Sequence, residues 1–344
     1  MKVLDGTEIN KALLASIIIS TYNRCAALCE TLEALSNQTV SIDQYEVIVV
    51  DNGSKDDTYE QAKKFYSALN LKVLRYPENR GVSAGRNLGI KNAGGEYLIF
   101  LSDDVIVPEI FIERHVGMLQ LHPRCWVIMG LEQLGDLRRT PFGRFLDSFE
   151  RKLDDLRKAK TIDKNLWEMN SVTARNLSLP RADLEHLGLF DEQFHTACED
   201  QDLAYRAKQI GIRFLYSTEI ICVHNDQMAD LRRYCKFQGL GAHDTALFCL
   251  KHKAIFGKAP IAKINGYISF SDSPTLFLKK LSKFILAAPF GIYLIEKITH
   301  LMEKTSVPDS ILWRMYRLLI GLHIFNGWRE GLNALEQRRK SSHA

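Results

Sequence analysis

The chain has 344 residues, 46% hydrophobic and 25% charged, a globular composition that excludes a largely disordered chain. Its 45 lysines and arginines against 41 acids leave a formal net charge of +4, too small an excess to indicate a nucleic-acid partner. Seven cysteines without a C-x-x-C pair are typical of free thiols in a reducing compartment and disfavour a zinc site, and the first 15 residues lack the apolar stretch of a secretory signal. We therefore expect a cytoplasmic protein.

Four short apolar runs, each a predicted strand, alternate with helical patterns over the first hundred residues. The predicted strands are residues 16–20, 45–50, 71–75 and 97–101. This alternation is typical of parallel strands joined by crossover helices, and it predicts a three-layer α/β domain. Beyond about residue 250 the chain continues in proline-punctuated helical stretches. We predict an N-terminal extension over residues 1–15, the α/β domain over 16–250 and a helical region over 251–344.

Polar side chains follow these strands at the edge where parallel sheets bind ligands. Asp51 follows four apolar residues, so its carboxylate can accept a hydrogen bond from a base N–H or a ribose hydroxyl, although Asp-Asn-Gly-Ser is also an ordinary turn sequence. Asp103 and Asp104 follow Ser102 after the fourth strand. Two adjacent carboxylates indicate a divalent cation, with a capped turn as the structural alternative. The strand ends therefore predict one ligand-binding crevice.

A glycine-bearing segment and an acidic helix start carry further polar clusters. Residues 79–89 place Arg80 and Arg86 at a helix start, which suits an anionic phosphate, although the glycines equally permit close packing of helix on sheet. Glu199 and Asp200 begin a run of acids at another helix N-terminus, where a carboxylate stays ionised and can act as a general base, or simply caps the helix. His224 ends an apolar run and is either a metal ligand or a structural histidine.

In their order and spacing these segments resemble glycosyltransferase family 2, whose members have the GT-A fold and use nucleotide-diphospho-sugars. The resemblance runs from about residue 16 to about residue 225. It rests on SIIISTYNR (16–24), VIVVDNGSKDDT (47–58), NRGVSAGRNLGI (79–90), GGEYLIFLSDDV (94–105), GLFDE (188–192), EDQDLAYRAKQIG (199–211) and His224. It implies a GT-A three-layer α/β/α sandwich with a mostly parallel central sheet and a C-terminal helical extension.

The resemblance also implies a nucleotide-sugar pocket. The residues that match it are Thr21, Asn23, Arg24, Asp51, Asn52, Arg86, Asp103 and, near the donor or acceptor, Asn176. Asp51 matches the residue that contacts the base, and Arg86 matches an arginine near the nucleotide.

A metal site and a base are implied in the same way. Asp104 matches the direct ligand of a Mg²⁺ or Mn²⁺ cofactor, and His224 matches a position that approaches the metal or the diphosphate. Asp200 matches the catalytic base, with Glu199 beside it. Ser102 departs from the family pattern, which often has Asp there, so the contact expected from that first position is in doubt.

The implied reaction is an inverting single displacement on a nucleotide-diphospho-sugar donor. Asp200 would deprotonate an acceptor hydroxyl, and the cation at Asp104, with Arg86 or Arg80, would offset charge on the leaving phosphate. The implied partners are the donor and a glycan or lipid-linked acceptor, as in polysaccharide or glycoconjugate biosynthesis. No nucleic acid is expected.

The helical region raises the question of a membrane. Residues 284–295 form an uncharged run that is too short to cross a bilayer. A second helical pattern repeats apolar residues from Ile311 to Phe325, with Arg314 and Arg317 nearby. These helices either pack against the α/β domain or a second subunit, or attach peripherally to the inner face of an anionic membrane.

Two other functions fit parts of the sequence. A sugar-phosphate nucleotidyltransferase shares a similar sheet, but residues 21–24 are not the glycine-rich, arginine-containing loop expected after its first strand. A catalytically inactive glycan-binding or scaffold module is the second alternative, because Ser102 replaces an acid.

Overall fold

A computed structural model describes residues 13–133, 139–225, 230–253 and 260–341. The chain divides into two compact units. The sheet unit comprises residues up to 132 together with 157–191 and 203–225, and the helical unit comprises 133–156, 192–202 and the residues from 226 onward. Most of the predicted N-terminal extension lies outside the described residues. The domain boundary near residue 250 stays a prediction, since the units follow spatial contact and the boundary follows sequence pattern.

The sheet unit contains one ten-stranded mixed sheet. Its strands are β1 (Ala15–Thr21), β2 (Tyr45–Asp51), β3 (Leu71–Arg75), β4 (Tyr97–Leu101), β5 (Val105–Ile106), β6 (Cys125–Gln133), β7 (Lys158–Asp163), β8 (Leu166–Met169), β9 (Asn176–Pro180) and β10 (Arg213–His224). The order across the sheet is β3-β2-β1-β4-β9-β6-β10-β8-β7, with β5 paired to β10. The first four strands pair in parallel, as predicted, and the pairs β4-β9, β6-β9, β10-β5, β10-β8 and β7-β8 are antiparallel.

Helices are numbered along the chain, across both units. They are α1 (Cys25–Leu35), α2 (Thr58–Ala62), α3 (Val82–Lys91), α4 (Phe111–Leu121), α5 (Pro141–Arg157), α6 (Arg181–Leu187), α7 (Glu199–Gln209), α8 (Leu231–Lys251), α9 (Pro260–Asn265), α10 (Pro274–Leu286), α11 (Pro289–Glu303) and α12 (Asp309–Ser341). Helix α2 is continued by a 3₁₀ turn at Lys63–Ser67.

Both faces of the sheet are covered by helices, because successive residues of a strand point to opposite faces. Ile17 packs in one core with Leu28 of α1 and Phe111 of α4, whereas Ile18 packs in a separate core with Leu203 of α7. All five side chains are almost fully buried. Strands buried on both faces appear in the sequence as unbroken apolar runs, which is why these strands can be predicted. The predicted three-layer α/β/α arrangement is confirmed.

The helical unit is organised around α8 and α12, which pack closely along their lengths. Phe142 of α5, Tyr234 of α8 and Tyr316 of α12 meet edge to face in one aromatic core. Farther along, a Cβ placed on Gly327 would lie 1.8 Å from the carbonyl oxygen of Gly239, so the two backbones touch where neither residue has a side chain. The predicted C-terminal helical extension is confirmed.

The apolar pattern predicted for the last helix belongs to the core of the helical unit. Leu322, Phe325 and Trp328 of α12 are buried, while Ile311 remains exposed. Packing therefore accounts for most of this pattern. Within the described residues, no single helix is long and apolar enough to span a membrane, whereas α10 and α11 meet that test jointly, with a bend of 85° between them. All seven cysteines are free thiols, as predicted.

Candidate active site

Three neighbouring parallel strands end at one edge of the sheet and bring their terminal residues together. Thr21 at the end of β1 pairs in register with Asp51 at the end of β2. The hydroxyl of Thr21 donates a 2.6 Å hydrogen bond to Oδ2 of Asp103, which follows β4. Two predicted site residues 82 positions apart in the chain are thus in direct contact.

Arg24 joins the two adjacent acids. Its Nε lies 3.4 Å from Oδ1 of Asp103, and its terminal nitrogen forms a hydrogen-bonded ion pair with Oδ2 of Asp104. Burial raises the pKa of Asp103 to about 6, and the Arg24 charge opposes that rise. For Asp104, burial is outweighed by the facing His224 and by Arg24, so its pKa lies below the ordinary value. The guanidinium therefore offsets the repulsion expected between neighbouring carboxylates.

His224 reaches the acid pair through the short strand β5. His224 pairs with Val105 across the antiparallel β5–β10 contact, and the backbone N–H of Asn225 donates a 2.7 Å hydrogen bond to the carbonyl oxygen of Asp104. Nε2 of His224 lies 3.3 Å from Oδ1 of Asp104, and both side chains are nearly buried. A strand pairing fixes this contact.

Asp104 and His224 are the residues that fit a divalent cation. Two ligands at right angles on an ion with bonds of about 2.1 Å lie about 3 Å apart, close to the spacing observed here. Oδ1 of Asp104 is buried and completes no hydrogen bond within the described residues. Within the described residues we find no group of three or more His, Cys, Asp or Glu side chains that could hold a metal ion. Mg²⁺ sites commonly have only one or two protein ligands, because phosphate oxygens and water complete the shell.

Asp51 is held by its own turn and by an arginine that the sequence analysis missed. It is fully buried, its Oδ1 accepts the backbone N–H of Ser54 at 2.9 Å, and its Oδ2 lies 3.0 Å from Nε of Arg75. The turn role weighed for Asp51 is thus present. Its contact with a base stays a prediction, and no local signal in the sequence links Arg75 to Asp51.

Asn23 and Asn52, two of the asparagines predicted for the nucleotide-sugar pocket, brace loops. The side chain of Asn52 donates to the carbonyl oxygen of Gly81 at 2.7 Å and accepts from the N–H of Arg80 at 3.0 Å. Asn23 has a positive φ of 53°, and its side-chain oxygen accepts the N–H of Lys55 at 2.7 Å. These bonds tie three loops together at the strand ends, and ligand contact by either residue stays a prediction.

The glycines of α3 serve packing, the structural alternative weighed for them. A Cβ on Gly85 would lie 2.1 Å from Oγ of Ser20, and one on Gly89 would lie 2.4 Å from a methyl of Ile18. Close approach of α3 to β1 buries Arg86, whose guanidinium lies 5.4 Å from the ring centroid of Phe190 and donates to the carbonyl oxygen of Ala174 at 3.4 Å. The predicted contact of Arg86 with a phosphate stays a prediction.

Asn176 lies inside the sheet unit. Its Oδ1 is 2.9 Å from Nε2 of His115, and its side-chain nitrogen donates to the carbonyl oxygen of Met129 at 3.3 Å. The other ring nitrogen of His115 lies 2.8 Å from the hydroxyl of Ser178. Asn176 is 1% exposed, so its place near a donor or acceptor stays a prediction.

The acidic start of α7 belongs to the helical unit and is anchored there. Asp202 is fully buried and lies 2.7 Å from Nζ of Lys251 and 2.8 Å from Nε2 of His252. Asp202 therefore has a structural role, whereas Glu199 and Asp200 are nearly buried at the helix start.

Asp244 holds the segment that leads into α7. Its Oδ2 accepts the backbone N–H groups of Thr196 and Ala197 at 2.8 and 3.0 Å, just before Cys198, whose φ is +69°. Burial works against the charged form, but the His243 contact and the two backbone bonds lower the pKa of Asp244. Asp244 thus positions the turn that carries Asp200. The location of Asp200 beside the acid pair stays a prediction.

A cavity of about 600 Å³ lies in the helical unit. Its lining combines charged and apolar groups from α5, α8, α11 and α12, including Arg232, Glu296 and His300. None of the site residues predicted from the sequence lines it.

Comparison with known proteins finds a family match for the first half of the chain. Residues 16–166 match the family model described as glycosyl transferase family 2, a match that contains β1 to β4 and the acid pair. The chain is 29% identical over 346 residues to the uncharacterized glycosyltransferase YfnE of Bacillus subtilis (strain 168), with 87% of this chain and 86% of the relative covered. The chain is a glycosyltransferase, and its residues 16–166 match family 2.

Two further comparisons bear on this glycosyltransferase. It is 27% identical over 229 residues to the chondroitin synthase of Escherichia coli, covering 58% of this chain and 33% of that enzyme. In fold it is similar to a solved mannosyltransferase, PcManGT from Pyrobaculum calidifontis in complex with GDP-Man and Mn²⁺, with a TM-score of 0.59 at 19% identity and 92% and 87% of the two chains covered. The GT-A fold expected from the sequence is confirmed.

Proposed function

We propose that the glycosyltransferase moves a sugar from a nucleotide-diphospho-sugar to an acceptor hydroxyl with inversion, and that it requires Mg²⁺ or Mn²⁺. The observation that carries the proposal is the buried contact set in which Asp104 meets both Arg24 and His224, beside Asp103. A site of this kind places one carboxylate oxygen and one imidazole nitrogen where phosphate oxygens can complete a cation shell. The GDP-Man and Mn²⁺ bound to PcManGT support the same donor class.

The proposed chemistry is a single displacement. Asp200 takes the proton of the acceptor hydroxyl as the hydroxyl oxygen bonds to the anomeric carbon of the sugar. The bond from that carbon to the diphosphate oxygen breaks at the same time, and the nucleoside diphosphate leaves with the electron pair. A base near the start of α7 suits this step, because the positive end of the helix dipole attracts a negatively charged side chain.

The leaving group gathers negative charge, which cationic groups must offset. A cation held by Asp104 and His224 would supply Lewis-acid stabilisation of the diphosphate. Arg80 lies just before α3 and Arg86 lies within it, and guanidinium groups can donate to phosphate oxygens. In the structure Arg24 already occupies the acid pair, so we expect its bond to Asp104 to loosen when a cation and diphosphate enter.

The acceptor is proposed to be a glycan or a lipid-linked glycan. Polysaccharide or glycoconjugate synthesis is supported by the similarity to the chondroitin synthase, although the chain spans only a third of that enzyme. We place the enzyme in the cytoplasm, because seven free thiols fit a reducing compartment.

A donor screen tests the proposal. The full chain is incubated with a panel of nucleotide-diphospho-sugars and Mn²⁺, and release of nucleoside diphosphate is measured alongside the shift in melting temperature, since a ligand stabilises the fold it binds. One donor is expected to raise the melting temperature and to be consumed only with Mn²⁺ or Mg²⁺. Asp104→Asn should abolish the metal-dependent release, whereas Glu185→Gln, an exposed acid of α6, should leave it unchanged. Release that persists undiminished in Asp104→Asn would refute the proposed site.

A further inference from the structure

The helical unit exposes an unusual concentration of large apolar side chains on α10 and α11. Leu278, Phe284 and Ile285 of α10 are 63%, 50% and 61% exposed, and Phe290 and Leu301 of α11 are 75% and 64% exposed. Isolated exposed apolar residues are ordinary, but a run of them on adjoining helices marks a surface that meets something apolar.

On α11 the exposed residues follow the helical repeat. Phe290, Leu294, Ile298 and Leu301 are spaced by four, four and three residues and form one stripe. The opposite side carries Ile295 and Thr299, which are buried. The stripe is therefore an outward face of the helix, not part of its packing.

The other side of the helix pair is fixed to the unit. Ala287, at the bend between the helices, is buried in the core that contains Leu322, and the side chain of Asn326 donates a 2.9 Å hydrogen bond to its carbonyl oxygen. The two helices thus have one side bound to α12 and one apolar side turned outward. This arrangement suits helices that lie along an interface and does not suit helices that insert across it.

Length leads to the same conclusion. A bilayer core is about 30 Å thick, whereas the 15 residues of α11 extend only about 22 Å. The 85° bend between α10 and α11 prevents them from adding their lengths along one axis.

Charge around the stripe is complementary to an anionic surface. Over residues 260–304 the sequence has six lysines (Lys263, Lys279, Lys280, Lys283, Lys297 and Lys304) against three acids (Asp272, Glu296 and Glu303). Each acid is engaged within the protein: Asp272 with Lys280, Glu296 with Arg232, and Glu303 with the hydroxyl of Tyr316. Lys279, Lys297 and Lys304 are exposed. A second copy of the chain would bring the same excess of lysines to the interface and would be repelled. Anionic lipid headgroups would instead neutralise the lysines.

We propose that the outward faces of α10 and α11 form a bilayer-contact surface, in which the apolar stripe enters the headgroup region of an anionic membrane and the exposed lysines contact lipid phosphates. The surface lies wholly in the helical unit and does not depend on the sugar that the enzyme transfers. It would hold the enzyme at a membrane, where a lipid-linked acceptor is confined.

Vesicle flotation of the full chain tests the proposal, with liposomes of phosphatidylcholine alone and of phosphatidylcholine with phosphatidylglycerol. The wild-type chain should float with anionic vesicles and release at high salt. Leu294→Glu with Ile298→Glu should lower partitioning at least tenfold, and Lys279→Glu with Lys304→Glu should remove the preference for anionic lipid. Ile42→Glu with Leu121→Glu, two exposed apolar residues of the sheet unit, is the matched control and should float like wild type.

Nucleoside diphosphate release in solution and light scattering after gel filtration complete the test. Variants that lose flotation but keep donor turnover and the wild-type melting temperature support the surface. If wild-type protein does not float, or floats equally well with Leu294→Glu and Ile298→Glu, the proposal is overturned. It is also overturned if the wild type is a dimer that those substitutions dissociate while vesicles stay unbound, because the stripe is then a subunit interface.

Discussion

Nε2 of His224 lies 3.3 Å from Oδ1 of Asp104, and the antiparallel pairing of His224 with Val105 sets that distance. The two residues are 120 positions apart in the chain. Asp104 directly precedes β5, and the pairing of β5 with β10 places the imidazole of His224 beside it. A site built on strands holds its ligands more accurately than one built on loops.

If this pair holds the cation, His224→Ala should raise the Mn²⁺ concentration needed for half-maximal activity. The increase should be at least the roughly 10-fold to 100-fold that loss of an outer-shell partner costs. Activity titrated against Mn²⁺ measures it, with His186→Ala, an exposed histidine of α6, as control. An unchanged Mn²⁺ requirement would remove His224 from the site.

Arg24→Leu should make the protein more dependent on added cation for its stability. Without the guanidinium, Asp103 and Asp104 lose the cation that they share, although His224 still faces Asp104, at a cost on the order of 1–3 kcal/mol in the free energy of unfolding. A divalent cation can replace that charge, so Mn²⁺ should raise the melting temperature of Arg24→Leu more than that of wild type.

Arg75→Leu is the matched control for that experiment. Arg75 also pairs with a buried acid, Asp51, and its loss should destabilise the fold without any added response to Mn²⁺. Equal Mn²⁺ shifts in wild type and in both variants would contradict a cation at Asp104.

His115 should make the protein acid-sensitive. Burial lowers the pKa of His115 to about 4, whereas an unfolded histidine titrates near 6.5. Below pH 6.5 the unfolded chain binds the proton and the folded chain does not, so stability is complete above pH 6.5 and falls as the pH drops toward 4. The loss from this one residue approaches about 3 kcal/mol.

Urea unfolding at pH 7 and pH 4.5 measures the effect. His115→Gln should lose less stability between the two pH values than wild type does, while His186→Gln should behave like wild type. The same pH dependence in all three proteins would show that His115 is not the group responsible.

Gly327→Ala should destabilise the helical unit. The added methyl would meet the backbone of Gly239 at 1.8 Å, and overpacking of this kind costs about 1–3 kcal/mol. Gly321→Ala in the same helix meets nothing within 4 Å and should stabilise by up to about 1 kcal/mol through helix propensity. Thermal unfolding of both variants measures the two effects. Equal shifts in melting temperature for Gly327→Ala and Gly321→Ala would contradict the close crossing of α8 and α12.

The parallel half of the fold could be predicted because its strands are buried on both faces and read as apolar runs such as Val47–Val50. The acid pair was predictable too, since two carboxylates directly after such a run are unusual. The antiparallel strand β7 (Lys158–Asp163) was not predictable, because it is mostly exposed and has no apolar period.

Long-range partners were equally inaccessible to the sequence. Nothing local links Arg75 to Asp51, Asp244 to the backbone of Thr196, or Asn176 to His115. Such contacts depend on which elements the topology brings side by side. For the same reason the sequence motifs of Asn52 and Gly85 indicate ligand binding, whereas in the structure Asn52 braces a loop and Gly85 lets α3 pack against β1.

The most direct test of the account is donor turnover by Asp200→Asn, measured with donor binding in the same preparation. If Asp200 is the base, transfer should fall by roughly 10²-fold to 10⁴-fold while the donor Kd stays within about twofold of wild type, because the substitution removes a proton acceptor and little else. Near-normal transfer by Asp200→Asn would contradict it.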